Sequence, residues 1–166
     1  MPELIELATL REFDTPTICN AIEVIAPERR LEGFTTRPFI CHDPSLPPMV
    51  GYARTAKIMA TQPSGRSKPD DLETRIGYFR HIAEPPAPTV TVIEDIDDPV
   101  GFGAHWGEVN SNLHKGLGSV GVVTNGSIRD VDMWAEGFGA LAGSLSPSHG
   151  WVHVVEYGSP VEVHGM

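Results

Sequence analysis

The sequence predicts an α/β domain of layered sheet and helices. Three observations carry that reading. The run TVTVIE, Thr89 to Glu94, is β-branched at every position from Thr89 to Ile93 and is fenced by prolines and acids, the clearest strand signal in the chain. Segments of helical period lie before and after it. The stretch GEVNSNLHKGLGSVGVVTNGSIRD, Gly107 to Asp130, reads as a helix, a buried strand and a second helix start. At 166 residues the chain is one domain by size, residues 1–166, and can bury a core without disulfides or metals.

Taken in order, apolar positions at Leu4, Leu7, Leu10, Phe13, Ile18, Ile22 and Ile25 predict helix, interrupted near Asp14. Thr15 is the expected N-cap and Pro16 the first helical position of a second helix to about Val24. This amphipathic start is expected to cover one face of a sheet. Leu31 to Pro48, with Gly33 and four prolines, reads as an irregular connection with one extended piece, Pro38 to Cys41. Val50 to Ala60 alternates as a strand. Gln62 to Asp71 is a polar loop, and Asp70 and Asp71 are expected to cap a helix through Leu72, Ile76, Phe79 and Ile82.

Pro85 to Pro88 is a stiff linker, and Asp95 to Pro99 an acidic turn. The glycine-rich loop Gly101 to Gly107 suits close backbone approach to a small ligand. Trp106, Val109 and Leu113 then recur at helical spacing, Gly116 and Gly118 stop the helix, and Val120, Val122 and Val123 form a strand. A turn at Asn125-Gly126-Ser127 is expected to open a short helix ending at Gly137. Ala140 to Leu145 and Trp151 to Val155 read as strands, with Pro160 to Val163 as a last extended piece.

Composition excludes several classes. With 12 basic against 22 acidic residues and a formal charge of −10, the chain would repel a nucleic-acid backbone, and no basic patch offsets this. Cys19 and Cys41 lack metal-ligand spacing and the N-terminus carries no apolar signal core, which fits a reducing cytoplasm. No apolar run approaches the ~20 residues of a membrane helix. Gly116, Gly118 and Gly121 spell GxGxxG, but they follow a helix and open a strand, the reverse of a dinucleotide fingerprint. His149, His153 and His164 read as surface residues rather than a zinc set, and His105 and His114 as packing or exposed groups.

Polar chemistry concentrates at the two ends of the Gly107 to Asp130 stretch. Helix starts near Gly107 and near Ser127 would point free N–H groups at one anion. Arg129 offers a planar fork for a carboxylate, Asp130 a hard oxygen ligand suited to Mg²⁺ or Mn²⁺, and Glu108 a group that could orient a metal-bound water. The bland alternative is a solvated helix cap with an ion pair.

Gly107-Glu108, twenty intervening residues and then Arg129-Asp130, with GVVTNGSIRD leading into the pair, resembles the family of the regulator of ribonuclease activity A and the 4-hydroxy-4-methyl-2-oxoglutarate aldolases. Looser likeness runs from about Phe13 to the C-terminus. Asn125 departs from the family's usual Asp. The resemblance implies a swivelling β/β/α layered domain with a mixed central sheet, assembled as a homotrimer or hexamer with sites between subunits. It implies a class II pyruvate aldolase that cleaves a 4-hydroxy-2-oxo-dicarboxylate and decarboxylates oxaloacetate. Asp130 would then bind Mg²⁺ or Mn²⁺, Glu108 would hold metal-bound water, and Arg129 would grip the pyruvyl carboxylate of a small keto-acid substrate. Gly107 and the backbone N–H groups of Val109 and Asn110 would complete the substrate site. The same scaffold includes non-catalytic regulators that bind ribonuclease E or helicases, and an acidic chain suits a basic partner. Relatives continue past Met166 with a Pro-Gly-Asp turn, a strand and a helical tail that gives an acid to the neighbouring site. Without that acid, slow turnover is expected, lower by ~10–100-fold.

Overall fold

A computed structural model describes residues 6–166, so the expected helical position at Leu4 lies outside the described residues. Six strands form one sheet: β1 (Ile40–Cys41), β2 (Tyr52–Met59), β3 (Thr89–Asp95), β4 (Ser119–Ile128), β5 (Gly139–Leu145) and β6 (His153–Tyr157). Their spatial order is β1-β5-β4-β3-β2-β6. The four inner strands run parallel, and β1 and β6 close the two edges antiparallel. The result is the expected α/β class with a mixed central sheet. The β-branched run lands in the middle, as a parallel strand buried on both faces should. Thr89 and Thr91 are themselves buried there, and the Thr91 and Ser119 hydroxyls hydrogen-bond each other at 3.1 Å.

Helix α1 (Leu7–Leu10) and helix α2 (Thr15–Ile25) form where periodicity predicts, but Asp14 is the cap rather than Thr15. The Asp14 carboxylate accepts from the Thr17 N–H at 2.9 Å, a bond a threonine one residue later would have to make one residue later. The expected cover of a sheet face by this segment does not occur. No residue of α2 is buried, and Val24 and Ile25 are 81% and 80% exposed. An apolar stripe specifies a face, not what the face meets.

Helix α3 (Lys68–Ala83) starts three residues before Asp71, with Ser67 as N-cap and Asp70 and Asp71 inside the first turn, where they complement the helix dipole. It buries Tyr78 and Ile82, one turn apart, and leaves Leu72 and Ile76 exposed. Helix α4 (Glu108–Gly116) reverses expectation more sharply. It buries Ser111 and His114, whereas Val109 and Leu113 face outward at 68% and 45% exposure. The core beneath is aromatic: Trp106 is fully buried, stacked on Phe138 at 5.8 Å between ring centres, and 4.3 Å from the His114 ring. Pro160 to Val163 forms no strand.

Candidate functional site

The site is built where two chain segments are laid side by side. Trp106 bridges Ile128 in parallel, and the Arg129 N–H donates to the Trp106 carbonyl at 2.9 Å. That pairing extends the sheet by one rung and sets Gly107 beside Arg129 and Asp130, which are distant in sequence. The contact is close enough to select the residue. A Cβ on Gly107 would stand 2.6 Å from Asp130 Oδ2 and 3.2 Å from Arg129 Cγ. Gly107 itself is extended, so it is space and not backbone freedom that requires glycine here.

Asp130 adopts a left-handed conformation (φ 54°, ψ 37°), one that a short polar side chain tolerates best after glycine. Its carbonyl accepts from the Met133 N–H at 2.8 Å, opening a single 3₁₀ turn, Val131–Met133. The reversal throws the Asp130 side chain back over Gly107, where its carboxylate lies 3.3 Å from Arg129 Nε. Both side chains remain about one-third exposed. Glu108, the first residue of α4, is exposed, and its carboxylate makes no hydrogen bond or ion pair among the described residues.

One helix terminus serves the site, not two. Gly107 supplies no side-chain cap, and the first intrahelical bond runs from the Ser111 N–H to the Gly107 carbonyl at 3.0 Å. The N–H groups of Glu108, Val109 and Asn110 therefore have no partner within the helix. The expected turn and helix start at Asn125-Gly126-Ser127 are absent, because β4 continues to Ile128 with a register shift between Thr124 and Ser127. On its other side β4 is held to β3 by the Asn125 side chain. Its amide oxygen accepts from the Asp95 N–H at 2.7 Å and its NH₂ donates to the Asp95 carbonyl at 2.9 Å, so the side chain replaces a backbone rung. An aspartate could not supply that second bond while ionised.

Two positioning residues had no legible signal in the sequence. Ser111 donates its hydroxyl to the Glu108 carbonyl at 2.9 Å and accepts from the Ala135 N–H at 3.0 Å, tying the first turn of α4 to the segment after Asp130. The Trp134 indole donates to the Arg129 carbonyl at 2.8 Å. Ala135 lies 24 residues from Ser111, and the Trp134 bond to Arg129 closes an irregular turn rather than a periodic element, so no helix or strand pattern encodes either.

His114 locks α4 to α3. Its Nδ1 faces the Asn110 carbonyl at 2.7 Å, which can only accept, so Nδ1 carries the proton and Nε2 accepts from the Tyr78 hydroxyl at 2.6 Å. Burial pushes the imidazole down to about 4 from its ordinary 6.5. Above pH 6.5 the neutral ring costs nothing in either state. As pH falls from 6.5 towards 4 the unfolded chain takes up a proton that the folded chain refuses, so stability falls across that window. Urea midpoints between pH 7 and 4 should decline accordingly, and His114→Gln should flatten the part of the slope this ring contributes.

Among the described residues, no three His, Cys, Asp or Glu side chains converge as a metal cage. Neither Glu108, Arg129 nor Asp130 lines the cavity of about 410 Å³ beside α3, although Asn110 does. No described helix is long and apolar enough to cross a membrane. The packing of Gly107 makes an immediate prediction. Gly107→Ala should fold, because Asp130 is partly exposed and can swing away, but that swing separates it from Arg129. Turnover or ligand affinity at this site should drop about tenfold or more, with the unfolding midpoint little changed. Unaltered binding in a folded Ala variant would dissociate the glycine contact from the site.

Residues 15–166 match the family model described as RraA-like: Aldolase/RraA. No curated protein matches. Among solved structures the chain is similar to Streptomyces coelicolor RraAS2, described as an unusual member of the RNase ES inhibitor RraA protein family, with TM-score 0.68 and 19% identity over 99% of this chain and 77% of that one. It is similar to the RNA-processing inhibitor RraA from Thermus thermophilis, with TM-score 0.59 and 19% identity over 89% of this chain and 80% of that one. A Geobacillus kaustophilus HTA426 protein described as an S-adenosylmethionine: 2-dimethylmenaquinone methyltransferase gives TM-score 0.62 and 16% identity over 93% and 83%. At these identities the likeness is one of fold.

Proposed function

Because the chain belongs to the RraA-like family, which holds both aldolases and ribonuclease inhibitors, we propose from its site that it is a divalent-metal-dependent aldolase. Its substrates are 4-hydroxy-2-oxo-dicarboxylates of the 4-hydroxy-4-methyl-2-oxoglutarate type, and it decarboxylates oxaloacetate as a side activity. The observation that carries this reading is the seating of the Asp130 carboxylate on Gly107, beside Arg129 and the uncapped first turn of α4. A docking surface has no use for a glycine that makes room for a neighbouring carboxylate and arginine stem.

The donor set fits the implied cofactor. Asp130 offers hard oxygen, partly exposed, and among the described residues it joins no group of three or more His, Cys, Asp or Glu side chains, which suits a cation that keeps most of its water. Mg²⁺ or Mn²⁺ held by Asp130 would supply positive charge where an enolate develops. Arg129 is assigned the substrate carboxylate, which its fork can take in bidentate fashion, and its charge polarises the adjacent 2-oxo group. The N–H groups of Val109 and Asn110, at the positive end of α4, orient the same carboxylate. Glu108 holds water at the exposed edge and takes part in moving the proton from the substrate 4-hydroxyl. As that proton leaves, the bond between C3 and C4 breaks, its electron pair passes to the 2-oxo oxygen as an enolate, and a second keto acid departs. Protonation at C3 then gives pyruvate. Loss of CO₂ from oxaloacetate leaves the same enolate, so one site serves both reactions.

Pyruvate release from either substrate, followed with Mg²⁺ or Mn²⁺ and again in excess chelator, tests the proposal. Turnover should vanish with chelator and return when metal is restored; chelator-resistant turnover would remove the metal from the mechanism. The exposed Val109 and Leu113 flank the site on α4 and suit contact with a second copy, in keeping with a homotrimer or hexamer. The second reading, a regulator that docks on ribonuclease E or a helicase, draws on the net charge of −10. Inhibition of such a partner by a chain with no lyase activity under any metal would favour it.

A further inference from the structure

We propose that the cavity between α3, the loop before α4 and β6 binds a small organic acid, an oxyanion head on an apolar body, at a site separate from Arg129 and Asp130. The cavity holds about 410 Å³. It gathers Arg66, Lys68 and Arg75, three of the 12 basic residues of a chain whose formal charge is −10, so its local sign opposes that of the molecule. Arg66 is pinned as a wall: its guanidinium donates to the Val154 and Val155 carbonyls at 2.8 and 2.6 Å. Asp71, the one carboxylate among the described residues that line the cavity, is already engaged by the Ser64 hydroxyl at 2.8 Å and by Arg66 at 3.7 Å.

Lys68 and Arg75 are different. Seven residues apart, they lie two turns along one face of α3, and among the described residues neither has a carboxylate within ion-pair distance. Two uncompensated cations at the mouth of one cavity define an oxyanion site. His105 also lines the cavity, and its Nε2 is buried with no hydrogen-bond partner among the described residues. An unpaired buried polar nitrogen is costly unless a ligand or water meets it. Phe79, Leu72 and Val152 supply the apolar wall against which a hydrocarbon body would lie.

Phenylacetate and phenyl phosphate present the two head groups on one apolar body, and inorganic phosphate presents the head alone. Calorimetric titration of the full chain should show saturable binding of at least one organic probe, with the tighter of the two identifying the head group. The double variant Lys68→Ala, Arg75→Ala alters exposed helix positions, so it should keep its unfolding midpoint and weaken that binding about tenfold or more. Arg129→Ala should leave the affinity unchanged, which separates this site from the proposed aldolase centre whatever the fate of that reading. The proposal is overturned by no saturable binding of either organic probe, by affinity unaltered in the folded double variant, or by inorganic phosphate binding as tightly as phenyl phosphate.

Discussion

Arg129→Lys is expected to be nearly as damaging as Arg129→Ala, each lowering kcat/KM by about 3 kcal/mol, roughly a hundredfold. Lysine preserves the charge but not the planar fork, and a point charge cannot hold a carboxylate and polarise its neighbouring oxo group in one fixed geometry. The arginine is also held from two sides. Its N–H is committed to the Trp106 carbonyl and its own carbonyl to the Trp134 indole, so the backbone cannot drift to let a lysine head reach the same place. Stability should change little, since the side chain is about one-third exposed and its ion pair to Asp130 is local. Steady-state kinetics on oxaloacetate beside urea denaturation separates the two effects. A folded Lys variant with near-normal turnover would remove the bidentate role.

The second large effect is structural. Trp106→Ala should lower stability by about 3–5 kcal/mol, the cost of deleting a large buried aromatic that its surroundings cannot refill. Trp106 is fully buried among Phe138, Trp134 and His114, rings that come from two segments, α4 and the connection before β5. Trp106→Phe should cost much less, because the indole Nε1 is buried without a hydrogen-bond partner among the described residues and phenylalanine abandons no such bond there. The Ala variant also loosens the rung that sets Gly107 against Asp130, so ligand binding at the proposed site should weaken at temperatures where the fold persists. Chemical denaturation of both variants checks the order; an Ala variant as stable as the Phe variant would show that the cavity collapses.

Local sequence by itself determined the periods and the punctuation. The β-branched run at Thr89, the glycines that end α4 and the alternation from Tyr52 are each legible because strand and helix repeats and glycine stops act over a few residues. The spacing between Gly107-Glu108 and Arg129-Asp130 was equally plain, and the fold does bring Gly107 against that pair. What the pattern could not supply is direction and partnership. Val109 and Leu113 sit at core spacing yet face outward, while Ser111 and His114 are buried, because each polar atom finds a partner from another segment: Ala135 for Ser111, Tyr78 for His114. Asn125-Gly126 carries a strong turn signal yet lies inside β4, because the Asn125 amide pairs with the Asp95 backbone across the sheet. Only tertiary structure decides such cases, since the free energy of burying a polar group depends on whether a distant residue arrives to satisfy it.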